Sequence, residues 1–441
     1  MKTSLCFLLL FWSMAGPAVA QSLSEVGPGY SLTSVNTAIF RQSSIVTHGD
    51  AQYIAYYDTA GYLTIGKRSA GTARWTLRRS EHKGHCEDAH NVISIGVDGD
   101  GFLHVAFDHH GQKLNYCRSL RPGGLELGEK RPMTGLDEDD VTYPEFYRLP
   151  DGDLLFAYRS GASGRGNLVL NRYLARLQQW TRLCAEQPIL IDGENQRNAY
   201  WQLTVDAKGT IHVSWVWRET WLVETNHDLC YACSRDGGKT WEKSTGEPYA
   251  LPITVANAEY IVRIPQGSEL INQTSMSADR EGRPYIATYW RDAGSRVPQY
   301  RIVYRDNAGW QVRQVSRRAT PFTLAGGGTK RIPIARPRLV ADTDTLSGAT
   351  RICYIFRDEE RGSRVSVAET NDLRGGAAWT VRDLTSFPVD AWEPAFDPER
   401  WRTEKHLHLF VQRTAQGDGE QVGNIAAQPV YVLEYKPFNN Q

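Results

Sequence analysis

The feature that most constrains the fold is a strand–turn–strand pattern that recurs along the chain. Short apolar runs alternate with turns rich in Asp and Gly. Copies begin at Ser43, His90, Tyr143, Tyr200, Gln273, Arg336 and Glu393. Their starts are roughly 45 to 73 residues apart, which is enough for about four strands per copy. Because no 3.6-residue apolar period competes, the sequence predicts an all-β protein, a seven-bladed β-propeller.

Two local motifs support this interpretation. The segment SRDGGKTW, Ser234 to Trp241, resembles the Asp-box, the turn signature of sialidase-like propellers, and we interpret it as structural. The apolar run YVLEY, which ends at Tyr435, is predicted to close the ring against the N-terminal segment.

The N-terminal segment predicts where the protein acts, and the net charge limits which partners it binds. Residues 1–20 combine Lys2, an apolar stretch and Ala-Val-Ala, which predicts a secretory signal peptide and export to the periplasm or beyond the cell. Residues 21–441 are then one propeller domain, and no later segment is apolar enough to span a membrane. With 50 basic and 50 acidic residues, a nucleic-acid partner recruited by net charge is excluded.

The cysteines are too sparse for a disulfide scaffold. Cys230 and Cys233, with His227 nearby, could ligate zinc, but strand alternation directs the two thiols to opposite faces. Buried or disulfide-bonded thiols are therefore the preferred interpretation, and we predict no metal and no cofactor.

Strand alternation also sorts the polar residues between two faces of the predicted propeller. The first turn of several copies, at Asp98, Asp206 and Asp279, should share one face, and His48 falls at this same turn in the first copy. The opposite face should carry arginines that end the second strand of five copies. These are Arg159, Arg218, Arg291, Arg357 and Arg413. A ring of guanidinium groups suits a carboxylated ligand.

Four residues on the arginine face form a set suited to β-elimination at a uronate. Removal of the C5 proton requires a neutralised carboxylate, a base, and an acid for the leaving oxygen. His90, His110, Tyr143 and Arg159 supply these groups. His104 and His212 instead alternate along strands, and we interpret them as satisfied interior histidines.

Several segments resemble BNR-repeat propellers that include ulvan lyases. Examples are DAHNVISIGVDGDGFLHVAFDHH and INQTSMSADREGRPYIATYWRD. The resemblance implies that His90, His110, Tyr143 and Arg159 match the lyase catalytic pattern.

The whole mature chain is similar to glycoside hydrolase family 145, as seen in VTHGDAQYIAYYDTAGYLTIGKR and GGGTKRIPIARP. That family contains α-L-rhamnosidases that remove rhamnose capping glucuronate in arabinogalactan, with one catalytic histidine on the face opposite the lyase-like one. The resemblance implies that His48 is that residue, whereas some relatives carry an inactive glutamine there. Lys330 and Arg331 are predicted as uronate partners.

Three functions follow as hypotheses. The leading one is exo-acting hydrolysis of L-rhamnose-α-1,4-D-glucuronate linkages in a plant-type acidic glycan, with His48 donating a proton to the glycosidic oxygen. The second is a lyase that uses His90, Tyr143 and Arg159. The third is a non-catalytic propeller that binds acidic glycan.

Overall fold

The computed structural model describes residues 21–39, 43–184, 189–272 and 274–438. The predicted signal peptide lies outside these ranges. Within them, regular structure is almost entirely β. There is one α-helix, α1 (Pro398–Glu404), and there are four short 3-10 helices at Ser34–Asn36, Ala175–Leu177, Val223–Thr225 and Glu359–Arg361. No helix in these ranges is long and apolar enough to cross a bilayer.

The strands are numbered in chain order. Those of the first part are β1 (Gln21–Gly29), β2 (Ile45–His48), β3 (Ala51–Tyr57), β4 (Tyr62–Ser69), β5 (Thr76–Lys83), β6 (Ile93–Val97), β7 (Leu103–Phe107), β8 (His110–Gln112) and β9 (Tyr116–Arg118). The middle part contains β10 (Val141–Arg148), β11 (Leu154–Ala162), β12 (Arg165–Leu174), β13 (Gln179–Arg182), β14 (Asn198–Val205), β15 (Ile211–Arg218), β16 (Asn226–Ser234) and β17 (Glu259–Val262). The last part contains β18 (Ser275–Ala278), β19 (Pro284–Trp290), β20 (Gln299–Asp306), β21 (Gly309–Gln314), β22 (Arg338–Thr343), β23 (Thr350–Phe356), β24 (Ser366–Thr370), β25 (Thr380–Asp383), β26 (Ala395–Phe396), β27 (Leu407–Val411) and β28 (Gln428–Tyr435).

These strands form six sheets in the described part of the chain. Four sheets have four strands, one has three, and one has nine. The nine-stranded sheet contains two antiparallel runs, β10 to β13 and β14 to β17, which a single parallel bridge between Gly166 and Asn198 joins. The all-β prediction is confirmed. The count of seven blades stays a prediction, as does the single domain.

The first and last strands pair with each other. β1 lies antiparallel to β28, with Gln21 opposite Tyr435 and Leu23 opposite Leu433. β28 in turn pairs with β27, so that the N-terminal strand completes a four-stranded sheet made otherwise from the C-terminal end. The predicted pairing of the YVLEY segment with the N-terminal segment is confirmed.

The turns explain why the pattern repeats. In the turn between β6 and β7, the Asp98 carboxylate accepts hydrogen bonds from the backbone N–H of Asp100 and of Phe102, at 3.0 and 2.9 Å. Gly101 has a φ of 86°, which a residue with a Cβ rarely adopts. Asp206 forms the same turn between β14 and β15. An aspartate that caps its own turn thus fixes the hairpin locally.

The Asp-box is also structural, as predicted. The Asp236 carboxylate accepts from the backbone and the hydroxyl of Thr240, and Trp241 is buried. Burying an aromatic side chain of this size removes about 150–250 Å² from water, worth roughly 4–6 kcal/mol at ~25 cal/mol per Å². The motif therefore anchors a loop in the core that also contains Trp215 and Trp217.

Candidate functional site

Two cavities lie at opposite ends of the same strands. Tyr143 and Tyr200, near the starts of β10 and β14, line a cavity of about 230 Å³, which we call the Tyr143 cavity. Arg148 and Val205, the last residues of these strands, line another of about 680 Å³, the Arg148 cavity. The stretch of strand from Tyr143 to Arg148 spans roughly 16 Å at ~3.3 Å per residue. The two cavities therefore open on different faces.

Two histidines share one carboxylate in the Tyr143 cavity. The rings of His90 and His110 stack with centroids 4.0 Å apart and planes 15° apart. Nδ1 of His90 donates to the Asp88 carboxylate at 2.8 Å, and Nδ1 of His110 donates to it at 2.5 Å. Because both rings donate from Nδ1, Asp88 orients both rings and fixes the tautomer of a ring that is neutral.

The same contacts give the two histidines different charges. Burial opposes the charged form of His90, but hydrogen bonds to Asp88 and Glu420 outweigh it and raise its pKa to about 9. Burial and the neighbouring charge of His90 lower the pKa of His110. At neutral pH the pair therefore consists of an imidazolium and a neutral imidazole.

Tyr143 sits in a strained backbone conformation. Its φ is 58°, in the left-handed region, and the register of β10 against β11 shifts between Thr142 and Glu145. A bulky residue in this region costs about 1–3 kcal/mol and persists where the surrounding structure imposes it. The bulge places Tyr143 in the cavity, with its ring 5.8 Å from that of His90.

A second tyrosine stands beside the first, and their pKa values diverge. The ring centroids of Tyr143 and Tyr200 are 6.0 Å apart. Burial opposes ionisation of Tyr200, but the charges of Arg218 and Arg159 outweigh it and lower its pKa to about 7. Burial and repulsion from Tyr200 raise the pKa of Tyr143. Two such groups pushed apart in pKa are suited to act as base and acid.

Arg159 presents unpaired donors inside the cavity wall. Its side chain is 2% exposed, and Nη2 donates to the Thr142 hydroxyl at 2.9 Å. Nε and Nη1 are buried without a hydrogen-bond partner among the described residues. Leaving donors of a permanent cation unpaired in a buried site is costly. A carboxylate bound in the cavity beside this side chain would neutralise its charge.

The predicted arginine ring is only partly present. Arg159 and Arg218 line the Tyr143 cavity, and Arg357 lines an adjoining cavity of about 430 Å³, the Arg357 cavity. Arg291 is paired with Glu269, Arg413 is paired with Asp390, and neither lines these cavities. Three of the five predicted arginines therefore line the described cavities, and the other two are paired with nearby carboxylates.

His48 ends β2 on the other face, beside Arg148. Arg148 Nη1 donates to His48 Nδ1 at 3.2 Å, so the proton of the neutral ring is on Nε2. Burial and the charge of Arg148 lower the pKa of His48, against weaker opposing effects of Asp98 and Glu399. His48 is thus neutral at pH 7. The ring is half-buried beside a cation, which accounts for the lowered pKa, and the catalytic role of His48 stays a prediction.

Lys330 and Arg331 are not near His48. Both line the Arg357 cavity, and Lys330 also lines the Tyr143 cavity, on the lyase-like face. Lys330 Nζ is paired with Asp418 at 2.7 Å. The two residues were predicted to bind the uronate of a substrate cleaved at His48, but they lie on the other face from His48. Binding of a uronate by them stays a prediction.

Other predicted polar residues are structural. His104 bridges Asp98 and the Tyr116 hydroxyl, and His212 bridges Asp206 and the Tyr231 hydroxyl, so both are satisfied interior histidines as predicted.

The six cysteines of the described ranges are free thiols. Of the two interpretations, buried thiols rather than a disulfide hold for this pair: Cys230 is fully buried in the core, and Cys233 is buried with its Sγ 3.7 Å from a Glu242 carboxylate oxygen.

One group in the described ranges has a donor set suited to a metal ion. Its members are Asp88, His90 and His110, with ligand atoms within 4.8 Å of one another. No such group forms in the described ranges from the residues considered for zinc, which are Cys230, Cys233 and His227. In the first group the carboxylate accepts a hydrogen bond from each ring, which accounts for the short distances.

Sequence reasoning missed two residues that line the Tyr143 cavity and one that binds its two histidines. Tyr200 begins its repeat in the same register as Tyr143, and Arg336 begins a later repeat in the same way. Comparing equivalent positions between repeats would have found both. Asp88 precedes the strand and gave no such signal, because its role depends on two histidines that fold against it.

A family model, described as the BNR repeat-containing family, matches residues 51–318. The chain belongs to this family.

Among curated proteins, the chain is similar to the long isoform of ulvan lyase from Alteromonas sp., with 24% identity over 278 residues, covering 49% of this chain and 27% of that protein. The Pseudoalteromonas sp. (strain PLSV) long isoform is 23% identical over 278 residues, with the same shares covered. The chain thus spans about a quarter of the length of these relatives.

Solved structures of polysaccharide lyases have the same fold. The polysaccharide lyase Uly1 superposes with a TM-score of 0.63 and 15% identity, over 90% of this chain and 91% of that one. A PL25 ulvan lyase bound to -[GlcA(1-4)Rha3S]- gives 0.64 and 16%, over 92% and 96%. At this level of identity, the likeness shows the fold.

Proposed function

We propose that this protein is an enzyme that degrades an acidic, glucuronate-containing glycan by β-elimination in the Tyr143 cavity. The observation that carries the proposal is the buried Arg159, with two unpaired donors, next to two tyrosines of divergent pKa. The names of its relatives, ulvan lyases, agree with an acidic polysaccharide as substrate. Export, predicted from residues 1–20, suits a polymer that is met outside the cytoplasm.

A residue of the Tyr143 cavity can perform each step of the reaction. Arg159 and Arg218 pair with the uronate carboxylate and stabilise the charge that develops when the C5 proton leaves. Tyr200, ionised near neutral pH, takes that proton. The electron pair of the C5–H bond forms the C4–C5 double bond, the C4–O4 bond breaks, and Tyr143 gives its proton to O4. The imidazolium of His90 adds positive charge beside the site. The products are a 4,5-unsaturated uronate and a free sugar hydroxyl, and no water is consumed.

The product tests the proposal directly. A glycan of alternating glucuronate and rhamnose 3-sulfate, and a rhamnose-capped glucuronate oligosaccharide, are incubated with the enzyme and followed by ultraviolet absorbance and mass spectrometry. We expect an absorbing product with the mass of an unsaturated uronate. A product heavier by one water, with no absorbance, would show hydrolysis and contradict elimination. Binding without any product would support the non-catalytic hypothesis.

A second candidate is hydrolysis of a terminal L-rhamnose-α-1,4-D-glucuronate linkage at His48, as the resemblance to the rhamnosidase family suggests. The specific observation in its favour is the contact of His48 with Arg148, which lines the larger cavity together with Arg280, Arg338 and Lys405. These cations suit a uronate. For this reaction His48 would have to take up a proton when substrate binds, because the neutral ring can donate a hydrogen bond to the leaving oxygen but is too weak an acid to transfer a proton to it.

His48→Gln separates the two candidates. Glutamine keeps polarity and approximate size but cannot transfer a proton, so hydrolysis at this site should fall about 10²–10⁴-fold. We expect formation of the unsaturated product to stay within twofold of the wild type. Loss of a single hydrogen bond should cost about 1 kcal/mol of unfolding free energy. Asp50→Asn, an exposed change in the same turn, is the control. Loss of elimination in the His48 variant alone would contradict our assignment of the Tyr143 cavity.

A further inference from the structure

A large indole ring stands exposed at the rim of the Tyr143 cavity. Trp221 is 59% exposed, although eight of the twelve tryptophans among the described residues are buried, and it lines the same cavity as Tyr143 and Arg218. Neighbouring apolar side chains of the lining are Val223, Ile271 and Ile332. The cavity therefore has an apolar side next to its cationic one.

The chain holds this ring in place. Arg218 donates from Nη2 to the carbonyl oxygen of Trp221 and from Nε to that of Leu222 at 3.2 Å. The arginine assigned to the uronate carboxylate thus also fixes the loop that carries the tryptophan.

The opposite loop makes room for the ring at Gly327. A Cβ at this position would lie 2.5 Å from Trp221 Cε3, which is too close for any side chain. Because the φ of Gly327 lies outside the left-handed region, close approach of the ring, rather than backbone conformation, requires the glycine here. Trp221 is consequently an exposed ring in close contact with the loop at Gly327.

We propose that Trp221 is the stacking platform for the pyranose ring that neighbours the uronate. This inference rests on the proposed function for the position of the uronate. An aromatic face presents a flat apolar surface, whereas the cations of this cavity recognise charge. A pyranose offers a matching face of C–H groups. The protein would therefore bind the charged sugar through its arginines and the next sugar through Trp221, and it would favour oligosaccharides over free glucuronate.

Binding measurements test the platform separately from catalysis. Calorimetric titrations use Tyr143→Phe as the parent, to prevent turnover, and two probes: a glucuronate and rhamnose 3-sulfate tetrasaccharide, and glucuronic acid alone. We expect Trp221→Ala to weaken tetrasaccharide binding about tenfold, equivalent to ~1.4 kcal/mol, and to leave glucuronic acid binding unchanged. Trp221→Phe should stay within about threefold of the parent. Leu177→Ala, a change at an exposed apolar residue outside the three cavities, is the matched control.

The outcomes distinguish the platform from the proposed function. Equal tetrasaccharide affinity in Trp221→Ala and Leu177→Ala, or no binding by the parent, would overturn the platform. An equal loss for both probes in Trp221→Ala would also overturn it, since that would indicate damage to the arginine site through the shared loop. If the tetrasaccharide affinity falls as expected while the wild type forms no unsaturated product, the platform stands and the proposed reaction fails.

Discussion

Tyr143→Phe should abolish formation of the unsaturated product, with kcat/KM lower by about 10²–10⁴-fold. The hydroxyl removed is the one we assign as proton donor to O4. Phenylalanine fits the same volume and can keep the ring contacts with His90 and Tyr200. KM should change little, because the arginines that bind the carboxylate remain. The measurement is initial-rate absorbance on the acidic glycan, with thermal unfolding to check the fold.

Two further tyrosines make this result interpretable. Tyr304→Phe, a buried change in β20 outside the three cavities, should leave kcat/KM within twofold. Tyr200→Phe should also be strongly impaired, for a different reason. In the wild type, Tyr200 must be deprotonated to act as base, so kcat/KM should rise with pH up to about 7 and then level. It should fall again above about 9 as His90 loses its charge.

The Tyr200→Phe variant should lose the acid side of this profile. If Tyr143→Phe kept more than a third of the wild-type kcat/KM for elimination, Tyr143 would not be the proton donor. His90 would then be the next candidate for that role.

Arg159→Lys should lower kcat/KM about 10- to 150-fold. Lysine keeps the charge but lacks the planar fork that pairs with a carboxylate through two hydrogen bonds. A hydrogen bond to a charged group contributes about 1.5–3 kcal/mol, which corresponds to that range of rates. Since the carboxylate gains charge during proton removal, both kcat and KM should change. The assay is elimination on the acidic glycan, at pH 8.

Arg291→Lys provides a matched control for this change. Arg159 lies near the end of β11, and Arg291 lies at the equivalent position, directly after β19. Arg291, however, is paired with Glu269 and does not line the three cavities. Its substitution should leave kcat/KM within twofold. Equal losses in the two variants would indicate a general effect of removing arginine from these positions, and would contradict a specific uronate contact at Arg159.

The parts of the fold that depend on local contacts could be predicted from the sequence. The hairpin at Asp98 is fixed by an aspartate that caps its own turn, and the Asp-box by hydrogen bonds among a few successive residues. The clustering of His90, His110, Tyr143 and Arg159 followed from strand register. The bridge between Gly166 and Asn198, which merges two antiparallel runs, had no local signal because it depends on how neighbouring runs pack.

Other properties of the site required the three-dimensional structure. The sequence placed Arg291 among the ligand-binding arginines, but the carboxylate that removes it from that role is Glu269, which precedes β18. His48 was predicted to donate a proton, but burial and the charge of Arg148, about a hundred positions later, lower its pKa and keep the ring neutral. The role of a charged side chain depends on which other charged groups it contacts in the folded protein. Strand periodicity does not predict those contacts.

The pairing of β1 with β28 has a consequence for how the molecule reaches its native state. Every hydrogen bond of this ladder joins residues near opposite ends of the described part of the chain, so forming it carries the closure entropy of a very long loop. A nascent or truncated chain that lacks the last strand leaves the backbone groups of β1 and β27 without their strand partner, and such an edge can recruit a strand from another molecule. The closing ladder therefore also protects these two strands against such pairing.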